Sequence, residues 1–502
     1  MTSTDFGVLK DMEGIAGTFA AENRDIVERM LEKVRHRGPD SKSIHADDNV
    51  ALGAVGKTPG SGRTVAAVVE RDGVAVASDS YLFNRIELAG RFAPAAGLDI
   101  TDRELLLEMY SQLGADLFNH LNGAFAVAIV DGGKTVLARD AYGLKPLYLS
   151  GDLETGSYSS EIKSQMIAGE EFAPFPPGKV VIEGKGLTSI NPKGAHMRTS
   201  AADSDGVEEL RRALLDSTSR SLEGGDGFNI LLSGGVDSTA IAAAASQITD
   251  DLKTVCVSFE GSVDAGMAQK VADTLGTDHH EKAYEVDEML DILDDVVYAA
   301  ETFDYPLVRS CIPNYMATHQ FDDTSRVTLC GEGGDEVFAG YDYMRDIESD
   351  EALRKERRNL LEGGHMTGFQ RVDRMTASAS LDGRMPIMDR NVVDLGLGMS
   401  RQAVLGSTIN ESKLALRKAF AHMIPDEVVW RRKMRFSDGA GSIKALVDVA
   451  DRIVSDREFE KERGELPGDR IRTKEELLYY RSFKKHFDSP SAMKAVGFTP
   501  RP

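Results

Sequence analysis

The stretch Phe228-Asn229-Ile230-Leu231-Leu232-Ser233-Gly234-Gly235-Val236-Asp237-Ser238-Thr239 runs a compact apolar strand into a glycine loop and then into a helix. Two glycines let the backbone turn tightly and point N–H groups inward. Ser238 and Thr239 fall at the helix start, where free N–H groups and the positive end of the dipole favour an oxyanion. The spacing differs from the GxxxxGK-S/T phosphate loop, and no lysine follows the second glycine. Such a loop is shaped for pyrophosphate leaving as a unit, with Asp237 placed to hold Mg2+ against it. On spacing alone it reads equally well as a glycine turn capping a helix through Ser238. Its place after an apolar strand favours the phosphate reading, because ligands gather at the carboxyl ends of strands in open parallel sheets.

Outward from this loop the chain alternates strand and helix. The helix runs from Ser238 through Gln247, followed by the strand Thr254–Phe259, a helix over Ala265–Leu275, a longer one over Val286–Ala299 and the strand Val327–Cys330. That order predicts a parallel sheet covered on both faces. From about Glu351 the chain reads as helical and polar, with an amphipathic helix over Lys413–Met423. Upstream the pattern is strand and turn: Val50–Val55, Gly73–Ala77 and Ala124–Val130, the last joined by Asp131-Gly132-Gly133 to Thr135–Arg139 as a hairpin. Helices interrupt it at Ile26–Val34 and Asp102–Leu113. The polar segment Thr199–Gly206 divides the two patterns, giving domains over 1–200 and 201–502. The fold class is α/β: a layered α+β sandwich followed by a parallel-sheet domain.

Composition limits the partners. The 502 residues, 41% of them hydrophobic, can build large cores without metal or disulfide staples. Against 59 basic residues stand 81 acidic ones, a formal net charge of −22. This field repels polyanions, so neither nucleic acid nor an anionic membrane is expected as partner. The three cysteines, Cys256, Cys311 and Cys330, form no CxxC pair and suit a reducing compartment. The N-terminal stretch carries acidic residues and no long apolar run, so a cytoplasmic location is expected. A homo-oligomer remains open.

A second cluster, Cys330-Gly331-Glu332-Gly333-Gly334-Asp335-Glu336, also follows a strand. Crowded carboxylates are unfavourable unless cations or separate roles divide them. Mg2+ on Asp335 would divide them in part, leaving Glu332 as a general base. An exposed acidic turn is the plainer alternative. Positive charge for a triphosphate and an acceptor carboxylate is available from Arg309, Arg384, Arg432, Lys433 and Arg435, and the sequence does not say which converge.

With these segments stand Glu301–Arg309, Arg384–Asp389, Val337-Phe338-Ala339-Gly340-Tyr341, Trp430-Arg431-Arg432-Lys433 and Phe436-Ser437-Asp438-Gly439. In their order along the chain they resemble the glutamine-hydrolysing asparagine synthetase family over nearly its whole length. The resemblance implies an ATP-consuming, AMP-forming amide ligase with ATP and Mg2+ as cofactors. It assigns catalysis to Glu332, Lys433 and Asp237, and Mg2+ to Asp237 and Asp335. The nucleotide would lie against Leu232, Ser233, Gly234, Gly235, Asp237, Ser238, Val257, Ser258 and Gly331. Asp304, Arg309 and Arg384 are acceptor candidates.

The first half resembles the family's N-terminal-nucleophile amidotransferase domain through Gly14-Ile15-Ala16-Gly17, His36-Arg37-Gly38-Pro39-Asp40, Ala138-Arg139-Asp140, Tyr142–Tyr148 and Ser160-Glu161-Ile162-Lys163. A working domain of that type begins with cysteine immediately before Gly-Ile-Ala-Gly, where Glu13 stands here. Its mechanism needs a thiolate beside its own free amine, and a carboxylate does not replace it. Asp79-Ser80-Tyr81-Leu82-Phe83-Asn84 also departs from the family's glutamine-binding Asn-Gly-Glu. Free ammonia or a small amine is therefore the expected nitrogen donor. Aspartate is the first expected acceptor. Pro306-Leu307, standing where two threonines are common, and Cys330, standing where serine is usual, leave room for a different carboxylate.

Overall fold

The computed structural model describes residues 13–19, 24–57, 66–97, 100–151, 155–169, 171–192, 204–222, 227–259, 263–322, 327–408, 411–432, 443–465 and 470–499. Two six-stranded antiparallel sheets form the first part. One runs, in spatial order, through Phe172–Pro174, Tyr148–Ser150, Ser157–Ser159, Glu13–Thr18, Ala51–Gly56 and Ser41–Ala46. The other runs through Gly186–Ser189, Lys179–Ile182, Lys134–Arg139, Gly123–Asp131, Val74–Leu82 and Val69–Arg71.

Side-chain size along the strands explains the layering. In Gly123–Asp131 the alternate residues Ala126, Ala128 and Val130 face the other sheet, where they meet Ile15, Leu52 and Ala54. Their neighbours Phe125, Val127 and Ile129 pack outward with Leu105, Leu106 and Met109 of the helix Asp102–Leu113. Small residues let the sheets approach, and large ones fill the gap to the helix. On the opposite side Val27, Met30 and Leu31 of the helix Arg24–Lys33 cover Ala16, Ala51 and Val55. The result is the expected α+β sandwich, helix–sheet–sheet–helix.

The second part is built on a five-stranded parallel sheet with the order Asp278–Tyr284, Leu252–Phe259, Phe228–Leu231, Val327–Leu329, Asp382–Arg384. The chain builds outward from Phe228–Leu231 in one direction, then returns to its other side. Its carboxyl end and that of Val327–Leu329 therefore flank the switch point where such sheets open a crevice. The helix expected over Val286–Ala299 is two, Val286–Asp291 and Leu293–Ala300, divided by a one-residue turn at Ile292 (φ −96, ψ −3). Among the described residues no helix is long and apolar enough to cross a membrane.

A seam of charge joins the two parts. Arg37, fully buried, donates to Glu161 at 2.6 Å and Asp79 at 2.8 Å, and pairs with Asp373 of the helix Gly368–Ser378. Lys145 holds Asp79 at 2.8 Å. Arg374 donates to Glu301 at 2.8 Å and also reaches Glu161. Glu301 in turn accepts from the backbone N–H groups of Ile162 at 3.0 Å and Lys163 at 2.8 Å. Burial alone would raise the Glu161 carboxyl, but His36, Lys163, Arg37 and Arg374 together hold it well below its ordinary value.

Candidate active site

The loop after Phe228–Leu231 is held by its own side chains. The Ser233 N–H donates to the Ser238 hydroxyl at 3.2 Å, and that hydroxyl reaches the Gly235 carbonyl at 3.2 Å. Gly234 has φ +65, and a Cβ there would come within 2.8 Å of the Ala268 nitrogen and of the Met267 side chain. Only glycine meets both the left-handed backbone and the close approach. The helix Val236–Ala245 opens directly behind, with Asp237 in its first turn.

The loop after Val327–Leu329 leans on this one. A Cβ on Gly331 would stand 2.5 Å from the Ser238 nitrogen, and one on Gly334 would stand 2.2 Å from Asp237 Oδ1. Missing side chains thus let two backbones from neighbouring strands touch. They bring Asp237 and Asp335 to a common partner, the ammonium of Lys413, which pairs with Asp237 and lies 2.7 Å from Asp335 Oδ1. Burial lowers the Lys413 pKa, but the two carboxylates outweigh it and raise it to about 12.

Between the loops opens a solvent-connected cleft of about 800 Å³. Leu232, Ser233, Asp237, Ser238, Val257, Gly331, Glu332 and Asp335 all line it, so these expected residues converge. Leu231 and Val255 give it an apolar wall, and Pro313, Asn314 and Ala317 of the helix Tyr305–Thr318 face it. Gly234, Gly235 and Ser258 lie outside this lining. Lys433, with the 435–439 segment, lies outside the described residues.

The three acceptor candidates are not brought to the cleft wall. Asp304 is buried, accepts from Thr499 Oγ1 at 2.6 Å and pairs with Arg472. Arg309 donates to Glu475 at 2.7 Å from its Nε and lies over the Tyr305 ring. Arg384 is held by Asp382 at 2.7 Å and by the Ser221 carbonyl at 2.9 Å. Among the described residues the cation that does line the cleft is Arg371, which pairs with Glu332. Neither Arg371 nor Lys413 stands in a recognisable motif. The left-handed backbone that places Lys413, φ +62, has no signature in a lysine. Burial, with Glu332 adding to it, pushes the Cys330 thiol up to about 12, so it acts as a small apolar group.

Asp237 and Asp335, which converge on one ammonium, suit a cation that takes its remaining ligands from a phosphate chain. Among the described residues no group of three or more such side chains could enclose a metal alone. The residues present therefore fit Mg2+ delivered with a nucleotide.

In the N-terminal sandwich Glu13 is fully buried at the start of its strand and forms an ion pair with Arg103 of the helix Asp102–Leu113. No thiol is near it: all three cysteines are buried in the second part.

Comparison with known proteins matches the family described as "Asparagine synthase" over residues 209–366 and 346–499, and the "Glutamine amidotransferase domain" over 12–173. The chain is 30% identical to "Asparagine synthetase B [glutamine-hydrolyzing]" of Escherichia coli (strain K12), covering 95% of this chain and 91% of that protein. It is 29% identical to "Probable asparagine synthetase [glutamine-hydrolyzing]" of Schizosaccharomyces pombe, over 94% of this chain and 92% of that one. With "Asparagine synthetase [glutamine-hydrolyzing]" of Asparagus officinalis it shares 29% identity over 93% and 84%.

Proposed function

Because this chain belongs to the asparagine synthase family of ATP-dependent amide ligases, we propose that it activates a side-chain carboxylate as an acyl-adenylate and amidates it with free ammonia. The observation that supports this most is the convergence of both glycine loops, Asp237, Asp335 and Glu332 on one cleft at the sheet's switch point.

The steps follow from where the groups stand. The apolar wall of Leu231, Leu232, Val255 and Val257 takes the adenine face. The loop Ser233–Ser238 receives the β and γ phosphates on backbone donors. Asp237 and Asp335 would hold Mg2+, which when bound neutralises the departing pyrophosphate. The acceptor carboxylate forms a bond to the α phosphorus as the bond to pyrophosphate breaks. Ammonia then forms the amide bond as AMP leaves, and Glu332 takes the proton lost from nitrogen. A carboxylate entering the cleft meets Arg371, whereas Asp304, Arg309 and Arg384 do not line it. Lys433 is the further cation assigned to the phosphates.

Glu13 and its Arg103 partner support ammonia over glutamine as donor, since they put a paired carboxylate where amide hydrolysis needs a nucleophile. The test is release of pyrophosphate and AMP across a panel of amino acids, with ammonium or glutamine supplied in turn. Turnover with ammonium and none with glutamine is expected, with aspartate as first acceptor. Production of ADP, or ordinary glutamine turnover, overturns the reading. A specialised acceptor is the second reading, favoured by the apolar Pro313, Ala317, Cys330 and Val372 in the lining of the cleft. A product from another carboxylate in the same panel distinguishes it.

A further inference from the structure

Lys413 is built into the site at some expense. Its side chain is buried, and its backbone is left-handed at φ +62, a conformation that disfavours any residue with a Cβ. Ala339, φ +56, shares that conformation and delivers Gly340 onto the same spot. A Cβ on Gly340 would lie 1.8 Å from Asp335 Oδ1 and 2.3 Å from the Lys413 Cε. Two strained residues and a glycine are thus spent on seating one ammonium between two carboxylates. An ion pair serving stability alone would not need a buried, strained seat, because apolar replacements of buried pairs are commonly as stable.

The ammonium sits between the two carboxylates that the proposed adenylating role assigns to Mg2+. We propose that Lys413 is a resident placeholder cation: without nucleotide it keeps the Asp237–Asp335 pair together and shuts out divalent metal, so that metal enters only with the phosphate chain. This rests on the adenylating role proposed above. Like charge explains the exclusion, since a divalent ion on the same two carboxylates would be pressed against a buried ammonium. Phosphate oxygens explain the release. They offer the three N–H donors of Lys413 new acceptors, so the side chain can turn from the carboxylates to the nucleotide without losing its hydrogen bonds. The carboxylates then become available as the phosphates supply the remaining metal ligands. In the apo protein the same ammonium keeps two neighbouring carboxylates from repelling each other.

The experiment uses Mn2+ as probe on the full chain, followed by paramagnetic resonance of the free ion and by melting temperature. Wild type is expected to bind Mn2+ weakly alone and to be stabilised by Mn2+ with a non-hydrolysable ATP analogue. Lys413→Met should bind Mn2+ without nucleotide roughly tenfold or more tightly than wild type, because metal replaces the lost cation. Lys413→Arg should keep the wild-type exclusion. If Lys413→Met fails to fold unaided, added Mn2+ should restore its cooperative melt. Equal Mn2+ affinity in wild type and Lys413→Met overturns the proposal while leaving the adenylating role intact. A wild type that tightly binds Mn2+ alone overturns it likewise. Absence of any response to Mn2+ with nucleotide overturns both.

Discussion

Glu13 and Arg103 show how much a single exchange can decide. Both are buried, and each is the other's counter-charge. Arg103→Met strands a carboxylate in an apolar interior and is expected to lower unfolding free energy by roughly 3–5 kcal/mol. Adding Glu13→Leu should recover most of that loss, and urea denaturation of the single and double variants checks it. Burial, with Arg139 adding to it, pushes the His365 imidazole from 6.5 down to about 3. Between those values the unfolded chain binds a proton that the native state refuses. Stability is thus fully present above pH 6.5 and falls as pH drops towards about 3, by an amount on the order of a few kcal/mol. His365→Asn should flatten the acid limb of a stability–pH curve. Glu13, Asp237, Glu332 and Asp335 were all legible beforehand, because each stands in a motif. Arg371 and Lys413 were not, because a lone basic residue in a helical region looks like any surface cation until the fold buries it.

At the level of the element, the two glycine loops could be read from sequence because each combines an apolar run with glycine and acidic residues. Their mutual contact could not, since it depends on strands that are neighbours only in space. Gly331→Ala puts a methyl against the Ser238 backbone, 2.5 Å from its nitrogen, and must push the loops apart. A displacement of about 1 Å at a reacting centre lowers rates by roughly a hundredfold, which is the fall expected in pyrophosphate release, with circular dichroism unchanged. The strand Asp278–Tyr284 has no sequence signature, because Asp278-His279-His280-Glu281-Lys282 carries no apolar alternation. It is an edge strand, mostly exposed, and charge suits an edge. The helix Tyr305–Thr318 was hidden by Pro313, which the helix tolerates within its length.

For the whole molecule the decisive feature is the charged seam. Asp79, Glu161, Glu301 and Asp373 are matched by Arg37, Lys145, Lys163 and Arg374, with partners drawn from both parts of the chain. Glu301→Gln leaves Arg374 and Lys163 short of a counter-charge and is expected to weaken the seam by roughly 3–5 kcal/mol. Calorimetry should then show the single thermal transition splitting in two, while a surface variant such as Glu427→Gln keeps one. The division into an antiparallel sandwich and a parallel sheet was legible from the change in strand pattern. The seam was not, since its members are scattered from Arg37 to Arg374 and each, alone, reads as an ordinary polar residue.

Glu301 also closes the amino end of the helix Ile162–Ala168, whose first N–H groups find their acceptor in a residue made far later. A ribosome adding about 5–20 residues per second needs roughly 7 to 28 seconds to travel from one to the other. Through that interval the newborn N-terminal half has neither this acceptor nor the aspartate and arginine at 373 and 374. Its last step of maturation is thus timed by synthesis of its neighbour, and a chain truncated before residue 301 would emerge with an unfinished face.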